Sequence, residues 1–216
     1  MEMKYIFVNF CQVIATVYAS TTENPDPNDR HNITHRVYFE ISQSGEELGN
    51  IIFGLYGGVV PKTVTNFRTI ALMGIKHTFS YMKSRFYLIV PGVKIQGGDI
   101  VNDDGSGHTT IWKEIIDPEN FIIKHNQAGI VSMVDVEGKN KTGSQFFITL
   151  RATPEYDGKN VAFGKITKGM DVVEKIAKVN IKADGTPINP VTVTRIGELP
   201  VVHTDDPLYS WVATDF

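Results

Sequence analysis

Cysteine is nearly absent from this sequence, which contains one such residue, Cys11, among its 216. Cys11 lies in an N-terminal stretch that we predict to be removed. The remaining chain therefore has no disulfide framework, no cysteine-ligated zinc site and no thiol nucleophile. No metal ion or other cofactor is expected either, because the six histidines are spread along the chain without a recognisable ligand set: His31, His35, His77, His108, His125 and His203.

Runs of like charge are also absent. The chain has 21 Lys and Arg residues against 24 Asp and Glu residues, and its formal net charge is −3. Because the cations are scattered instead of forming a stripe that follows phosphates, nucleic-acid binding is not expected. Long apolar runs are confined to the N-terminus, so nothing beyond it predicts a membrane anchor in the mature protein.

The N-terminus has the pattern of a secretory signal peptide. Glu2 and Lys4 precede an uncharged apolar stretch at 5–18, and residues 17–19 offer a cleavage site after Ala19. The stretch is too short and too interrupted to span a bilayer of about 30 Å; the alternative is a buried N-terminal helix or strand. We expect residues 1–19 to be removed and the protein to reach the lumen of the endoplasmic reticulum or vacuole, or to be secreted. Its last four residues form no retrieval signal.

Hydrophobic periodicity organises the rest of the chain. A polar linker rich in Pro, Asn and Thr is expected at 20–34, one domain at 35–199 and a tail at 200–216. Within the domain, helical spacing predicts helices at 61–73 and 171–179. Short alternating or apolar runs predict strands at 37–41, 50–56, 85–90, 93–95, 129–134, 145–150, 161–167 and 191–199. The pattern predicts a mainly β domain: a closed antiparallel eight-stranded β-barrel capped by two α-helices. We expect the protein to be a monomer.

Five blocks of sequence carry a family resemblance. The segment 86–99, Phe-Tyr-Leu-Ile-Val-Pro-Gly-Val-Lys-Ile-Gln-Gly-Gly-Asp, resembles the cyclophilin signature. The other blocks are 60–67, 120–125, 143–149 and 157–164, in family order and near family spacing. The chain is thus similar to cyclophilin-type peptidyl-prolyl cis–trans isomerases. The resemblance implies a cyclophilin-like barrel that binds proline-containing peptides or unfolded protein segments.

Three residues of these blocks have side chains suited to binding a peptide. Gln96 and Gln145 are amides able to hold a peptide backbone through paired donors and acceptors. Phe147 offers a flat apolar wall for a proline ring, and strand alternation lets only one of Phe146 and Phe147 face the core. We therefore expect Phe147 to face outward and to be exposed. Core aromatics and solvated glutamines are the alternative interpretation.

Leu88 occupies the position where the resemblance implies a catalytic arginine. Rotation about an X-Pro bond has a barrier of about 18–20 kcal/mol, and a cationic donor near the twisted proline nitrogen lowers it. Leucine cannot donate a hydrogen bond, so no catalytic residue is intact in the expected place. Arg85 starts on the opposite face of the predicted strand. Lys94 has a long flexible stem and is a candidate substitute donor.

Other positions of the implied peptide groove differ from the family pattern. Val93 stands at an aromatic wall position, Asn160 at a histidine position, and Glu155 at the position of a tryptophan or similar large residue that favours cyclosporin. Weak or no cyclosporin binding is therefore expected. Val134 and Asp135 replace a small residue and an asparagine. The predicted substrate-binding set is Val93, Lys94, Gln96, Val134, Asp135, Gln145, Phe147, Tyr156 and Asn160.

Two Asn-x-Thr sequons are candidate glycosylation sites in a secreted chain. Asn32 ends the linker, and Asn140 lies in a loop that the resemblance puts near the groove. An unoccupied turn asparagine is the alternative for Asn140.

Three functions remain open from sequence alone. The first is a peptidyl-prolyl isomerase that assists folding in the secretory pathway with weakened catalysis. The second is a catalytically impaired module that binds proline-containing segments. The third is a scaffold that acts through the tail at 200–216.

Overall fold

The structure, a computed structural model, describes residues 32–75 and 78–201. The predicted signal peptide, most of the predicted linker and residues 202–216 of the predicted tail lie outside the described residues. The backbone N–H of Thr34 donates to the carbonyl of Leu55 at 2.8 Å, so the last residue of the predicted linker is already bound to the sheet.

Eight strands and two helices make up the described chain. Both predicted helices are confirmed, within two residues at each end. The elements are β1 (His35–Gln43), β2 (Glu46–Leu55), α1 (Pro61–Leu72), β3 (Phe86–Val90), β4 (Lys94–Gly97), β5 (Ile130–Asp135), β6 (Thr142–Thr149), β7 (Ala162–Lys168), α2 (Met170–Ala177) and β8 (Val191–Leu199). Single 3₁₀ turns at Val136–Gly138 and Pro154–Tyr156 flank β6.

All the strands belong to one antiparallel sheet with the order β3-β4-β6-β5-β7-β2-β1-β8. The sheet curls into a half-barrel that is open, so the predicted closed barrel is wrong. Its two end strands, β3 and β8, are not paired along their length. Just before β3 begins, the chain contacts β8 through an isolated bridge between Arg85 and Thr192 and through two backbone hydrogen bonds, from Lys83 to Val193 at 2.8 Å and from Val193 to Ser84 at 3.0 Å. Hydrophobic alternation specifies the faces of strands but not whether the two ends of a sheet pair.

The inner face of the curl is an aromatic core. Phe146 on β6 is central, with its ring 5.3–6.2 Å from five other aromatic rings in mostly edge-on contacts, the arrangement that aromatic quadrupoles favour. The five are Phe39, Phe53, Phe67, Tyr81 and Phe86. Gly98 has φ +82°, and a Cβ there would lie 2.7 Å from the Phe146 ring. Only glycine fits this backbone beside the core.

The two helices pack on the sheet through their apolar sides. Pro61 begins α1, where a missing backbone N–H is harmless. The carboxylate of Glu119 accepts hydrogen bonds from the Lys62 and Thr63 amides at 3.0 and 2.8 Å, which completes the first turn. In α2, Val172, Val173 and Ile176 are buried. Across residues 32–75 and 78–201, neither helix has the length and apolar content needed to cross a membrane.

Candidate functional site

The predicted site lies on the outer face of the sheet, where four strands place one residue each in a row. The pairings run from Leu88 on β3 to Gln96 on β4, from Gln96 to Phe147 on β6, and from Phe147 to Ser132 on β5. Residues paired across antiparallel strands share a face, so these side chains start on the same side. Lys94 and Gln145 are each two residues from a member of the row and join the same face.

A residue that sequence reasoning missed, Tyr87, connects the two glutamines. The register shifts between Phe86 and Leu88, and this bulge leaves both Phe86 and Tyr87 buried. The Tyr87 hydroxyl donates to Oε1 of Gln145 and accepts a hydrogen bond from Nε2 of Gln96. Burial raises the pKa of Tyr87, so its hydroxyl stays protonated as a donor.

The Gln145 amide is fixed at its other end by the loop at 99–107. Its Nε2 donates to the carbonyls of Gly105 and Gly107 at 2.9 and 2.7 Å. Asp99 organises this loop by accepting five backbone N–H groups at 2.8–3.3 Å, from Val101, Asn102, Asp104, Gly105 and Gly107. Burial alone would raise the pKa of Asp99, but these backbone hydrogen bonds outweigh it and lower the pKa.

Phe147 is not the exposed wall that strand alternation predicted. It faces outward from the core, but only 1% of its surface is accessible. The ammonium of Lys94 lies 4.8 Å from the centre of the Phe147 ring and 5.2 Å from that of Tyr156. The Tyr156 ring lies 5.0 Å from the Phe147 ring. The face on which a proline ring would pack is thus covered by the chain's own side chains.

Behind Phe147, the buried ring of His125 is held at both nitrogens. Nδ1 lies 2.9 Å from the Asp157 carboxylate, and Nε2 lies 2.9 Å from the Ser132 hydroxyl. The His125 ring stacks on Phe147 at 5.9 Å and 15°. Burial lowers the pKa of His125, and the hydrogen bond that the Asp157 carboxylate accepts from its ring only partly opposes this. The neutral imidazole therefore serves as a fixed support for the wall.

The four other predicted groove residues do not join this cluster. The Asn160 amide donates to the Met133 carbonyl at 3.0 Å, and the Asp135 carboxylate accepts from the Lys141 amide at 3.1 Å. The backbone of Val93 pairs with Leu150 and Val90. Val134, next to Asp135 at the end of β5, is half-buried. These residues border the site, whereas Lys94, Gln96, Gln145, Phe147 and Tyr156 are brought together in it.

Leu88 and Arg85 have different neighbours in the structure. Leu88 pairs with Gln96, and Gly185 approaches it so closely that an added Cβ would lie 2.8 Å from Leu88 Cδ1. The guanidinium of Arg85 is bound by the Asp103 carboxylate and, at 3.0 Å, by the Asp103 carbonyl. Arg85 and Asp103 both line a cavity of about 110 Å³ beside Tyr87. Phe147 is not among the residues that line this cavity.

Metal ligands are not clustered: the described ranges contain no group of three or more His, Cys, Asp and Glu side chains able to hold an ion. Asn32 and Asn140, the two sequon asparagines, are exposed, and Asn140 adopts a left-handed turn conformation with φ 55°.

Comparison with known proteins agrees with this geometry. The family model described as cyclophilin type peptidyl-prolyl cis-trans isomerase/CLD matches residues 37–198. The chain is 37% identical over 205 residues to peptidyl-prolyl cis-trans isomerase D of Saccharomyces cerevisiae, covering 94% of this chain and 90% of that protein. It is 40% identical over 168 residues to the rhodopsin-specific isozyme of Calliphora vicina, covering 78% of this chain and 71% of that protein.

Proposed function

The chain belongs to the cyclophilin-type peptidyl-prolyl cis–trans isomerases, and on that premise we propose that it isomerises X-Pro bonds with weakened catalysis to assist folding in the secretory pathway. Its substrates are proline-containing or unfolded protein segments, bound by a monomer without a cofactor. Weak or no cyclosporin binding goes with this proposal because Glu155 is exposed and bound to Arg151 at 2.8 Å, which leaves no large aromatic surface at that position.

Support for peptide binding comes from the hydrogen-bonded set Gln96–Tyr87–Gln145 beside Phe147. Each glutamine is oriented before a substrate arrives, because Tyr87 and the 99–107 loop fix their amides. Both N–H groups of Gln145 donate to the loop, so this residue holds the framework. Gln96 uses one N–H on Tyr87, and its other N–H can bind a peptide backbone with little further loss of side-chain freedom. The supported Phe147 ring then offers apolar contact to proline once Lys94 has moved aside.

The proposal of weakened catalysis rests on which hydrogen-bond donors the site offers to the proline nitrogen. As an X-Pro amide twists, its nitrogen gains basic character, and a nearby cationic donor stabilises that state. Leu88 has no donor, and Arg85 is bound by Asp103. The Tyr87 hydroxyl already donates to Gln145. Lys94 does place a cation in the site: its ammonium donates to Oε1 of Gln96 at 2.8 Å and is a candidate substitute donor.

The test is an exchange measurement by NMR on a capped X-Pro peptide with the full chain, since uncatalysed isomerisation takes tens to hundreds of seconds. We expect slow but measurable catalysis that Phe147→Leu and Gln96→Leu both reduce. A matched control is Ile122→Leu, at an exposed apolar position outside the site. Peptide binding without any acceleration would refute the isomerase function.

That outcome would favour a second candidate, a module that binds proline-containing segments without turning them over. Coverage of the Phe147 face by Lys94 and Tyr156 favours this candidate, because a peptide must displace these groups before its proline can pack. Absence of both binding and catalysis would refute both functions.

The secretory location and the glycans at Asn32 and Asn140 are part of the same proposal. Their exposure makes both asparagines accessible to modification. Peptide mapping of protein from the secretory fraction, before and after deglycosylation, is the test. A new N-terminus at Ser20 and glycan on Asn32 would support it, whereas an intact Met1 would contradict removal of residues 1–19.

A further inference from the structure

The ammonium of Lys94 has an unusual position for a charged group. Its side chain is half-buried, and the ammonium lies over the faces of two aromatic rings, Phe147 and Tyr156. Its hydrogen-bond partner is the neutral Oε1 of Gln96, at 2.8 Å. Ring faces and an amide oxygen stabilise a cation, but less strongly than a carboxylate does.

Among the described residues, the partners of the Lys94 ammonium are Gln96, Phe147 and Tyr156, and none of the ion pairs involves it. The nearby acids have other partners: Glu155 binds Arg151, Asp157 binds His125, and Asp99 binds the backbone amides of its loop. Burial lowers the pKa of Lys94, because removing the ammonium from water disfavours its charged form. The site thus holds a positive charge that the protein leaves without a counter-charge.

We propose that Lys94 makes this site selective for proline segments that carry an acidic residue next to the proline. The inference rests on the proposed peptide-binding function and names the substrate class. The bound carboxylate supplies the missing counter-charge, and the ammonium moves to it from the Phe147 face, which becomes free for the proline ring.

A residue next to the bound proline lies at a distance that the Lys94 ammonium can reach. The ammonium is only 4.8 Å from the ring on which proline packs, so a residue adjacent to the proline lies within the reach of the flexible lysine stem. A neutral peptide must also displace the ammonium, but it offers no charge-assisted hydrogen bond in return. It therefore binds more weakly than its acidic counterpart.

The experiment measures dissociation constants by fluorescence or NMR titration of the full chain with capped peptides. Acetyl-Ala-Glu-Pro-Phe-amide and acetyl-Ala-Pro-Glu-Phe-amide are each compared with the peptide of equal shape that has Gln in place of Glu. The variants are Lys94→Met, which keeps an apolar stem, and Lys94→Glu, which reverses the charge. Lys178→Met removes one exposed lysine at the end of α2, outside the site, and controls for net charge.

We expect the natural chain to bind at least one acidic peptide about tenfold more tightly than its Gln counterpart, as a charge-assisted hydrogen bond typically provides. Lys94→Met should abolish this preference and Lys94→Glu should reverse it, while Lys178→Met should keep it.

Equal affinities for the Glu and Gln peptides in the natural chain would overturn the inference. A preference that persists in Lys94→Met would overturn it too. Both outcomes leave peptide binding intact and so are distinct from failure of the proposed function, in which no peptide binds the natural chain and the inference falls with it.

Discussion

The hydroxyl of Tyr87 donates a hydrogen bond to Oε1 of Gln145. The same hydroxyl accepts from Nε2 of Gln96, so a tyrosine joins two glutamines that stand on different strands. Because Gln145 also donates to the carbonyls of the 99–107 loop, the connection extends from β4 through β6 to that loop. The orientation of the Gln96 amide towards a peptide, and its connection to Gln145, therefore depend on one phenolic oxygen.

Tyr87→Phe should reduce both stability and peptide affinity. Removing the hydroxyl leaves buried donors and acceptors of Gln96 and Gln145 without a partner, which costs about 1–3 kcal/mol of unfolding free energy. Urea unfolding and peptide titration measure the two effects. Tyr38→Phe, at a half-buried tyrosine of β1, is the control and should change neither. A Tyr87→Phe protein with unchanged peptide affinity would show that the tyrosine does not position the amides.

Asp99 should make the protein sensitive to acid. Its pKa is lower in the folded state than in the unfolded chain, so its stabilising contribution is complete above the ordinary value and is lost as the pH falls through the folded value. We expect Asp99→Asn to lower the unfolding free energy at pH 7 by about 2–3 kcal/mol. The difference in unfolding free energy between Asp99→Asn and the natural chain should become smaller below about pH 4. Asp104→Asn, which changes an exposed aspartate of the same loop, should have a smaller effect; an equal loss would contradict the central role of Asp99.

His125 should add a second pH dependence near neutrality. Its folded pKa lies below the ordinary value, so the unfolded chain takes up a proton first as the pH falls. Stability is therefore complete above about pH 6.5 and declines below it, by about 1 kcal/mol between pH 7 and 5.5. Denaturant unfolding at the two pH values should show this decline in the natural chain and in His35→Asn, but not in His125→Asn. The same slope in all three proteins would exclude His125 as its source.

Much of this architecture is predictable because it depends on local pattern. Alternation along β1 and helical spacing in α1 identify those elements, and the outward direction of Phe147 follows from its neighbour Phe146. The two-residue periodicity of a strand also predicts that Phe86 and Leu88 share a face. The bulge between them instead puts Phe86 in the core and Leu88 beside Gln96.

The remaining features depend on contacts between distant segments. Burial of Phe147 requires Lys94 and Tyr156, which are far apart in sequence, to meet over one ring. The role of Tyr87 depends on the bulge, for which the run Phe-Tyr-Leu-Ile-Val gives no signal. The open sheet likewise depends on how strongly the strands curl, which no single strand encodes.

The most direct test of weakened catalysis is the rate of X-Pro isomerisation in the natural chain and in Leu88→Arg, measured without a coupling protease. An arginine at this position would start beside Gln96, on the face of Phe147. Leu88→Met controls for the substitution itself, and unfolding curves confirm that each variant is folded. We predict a low kcat/KM in the natural chain and in Leu88→Met, rising by about 10²–10³-fold in Leu88→Arg. A natural chain that is already fast, with no gain from Leu88→Arg, would contradict the claim that Leu88 limits this enzyme.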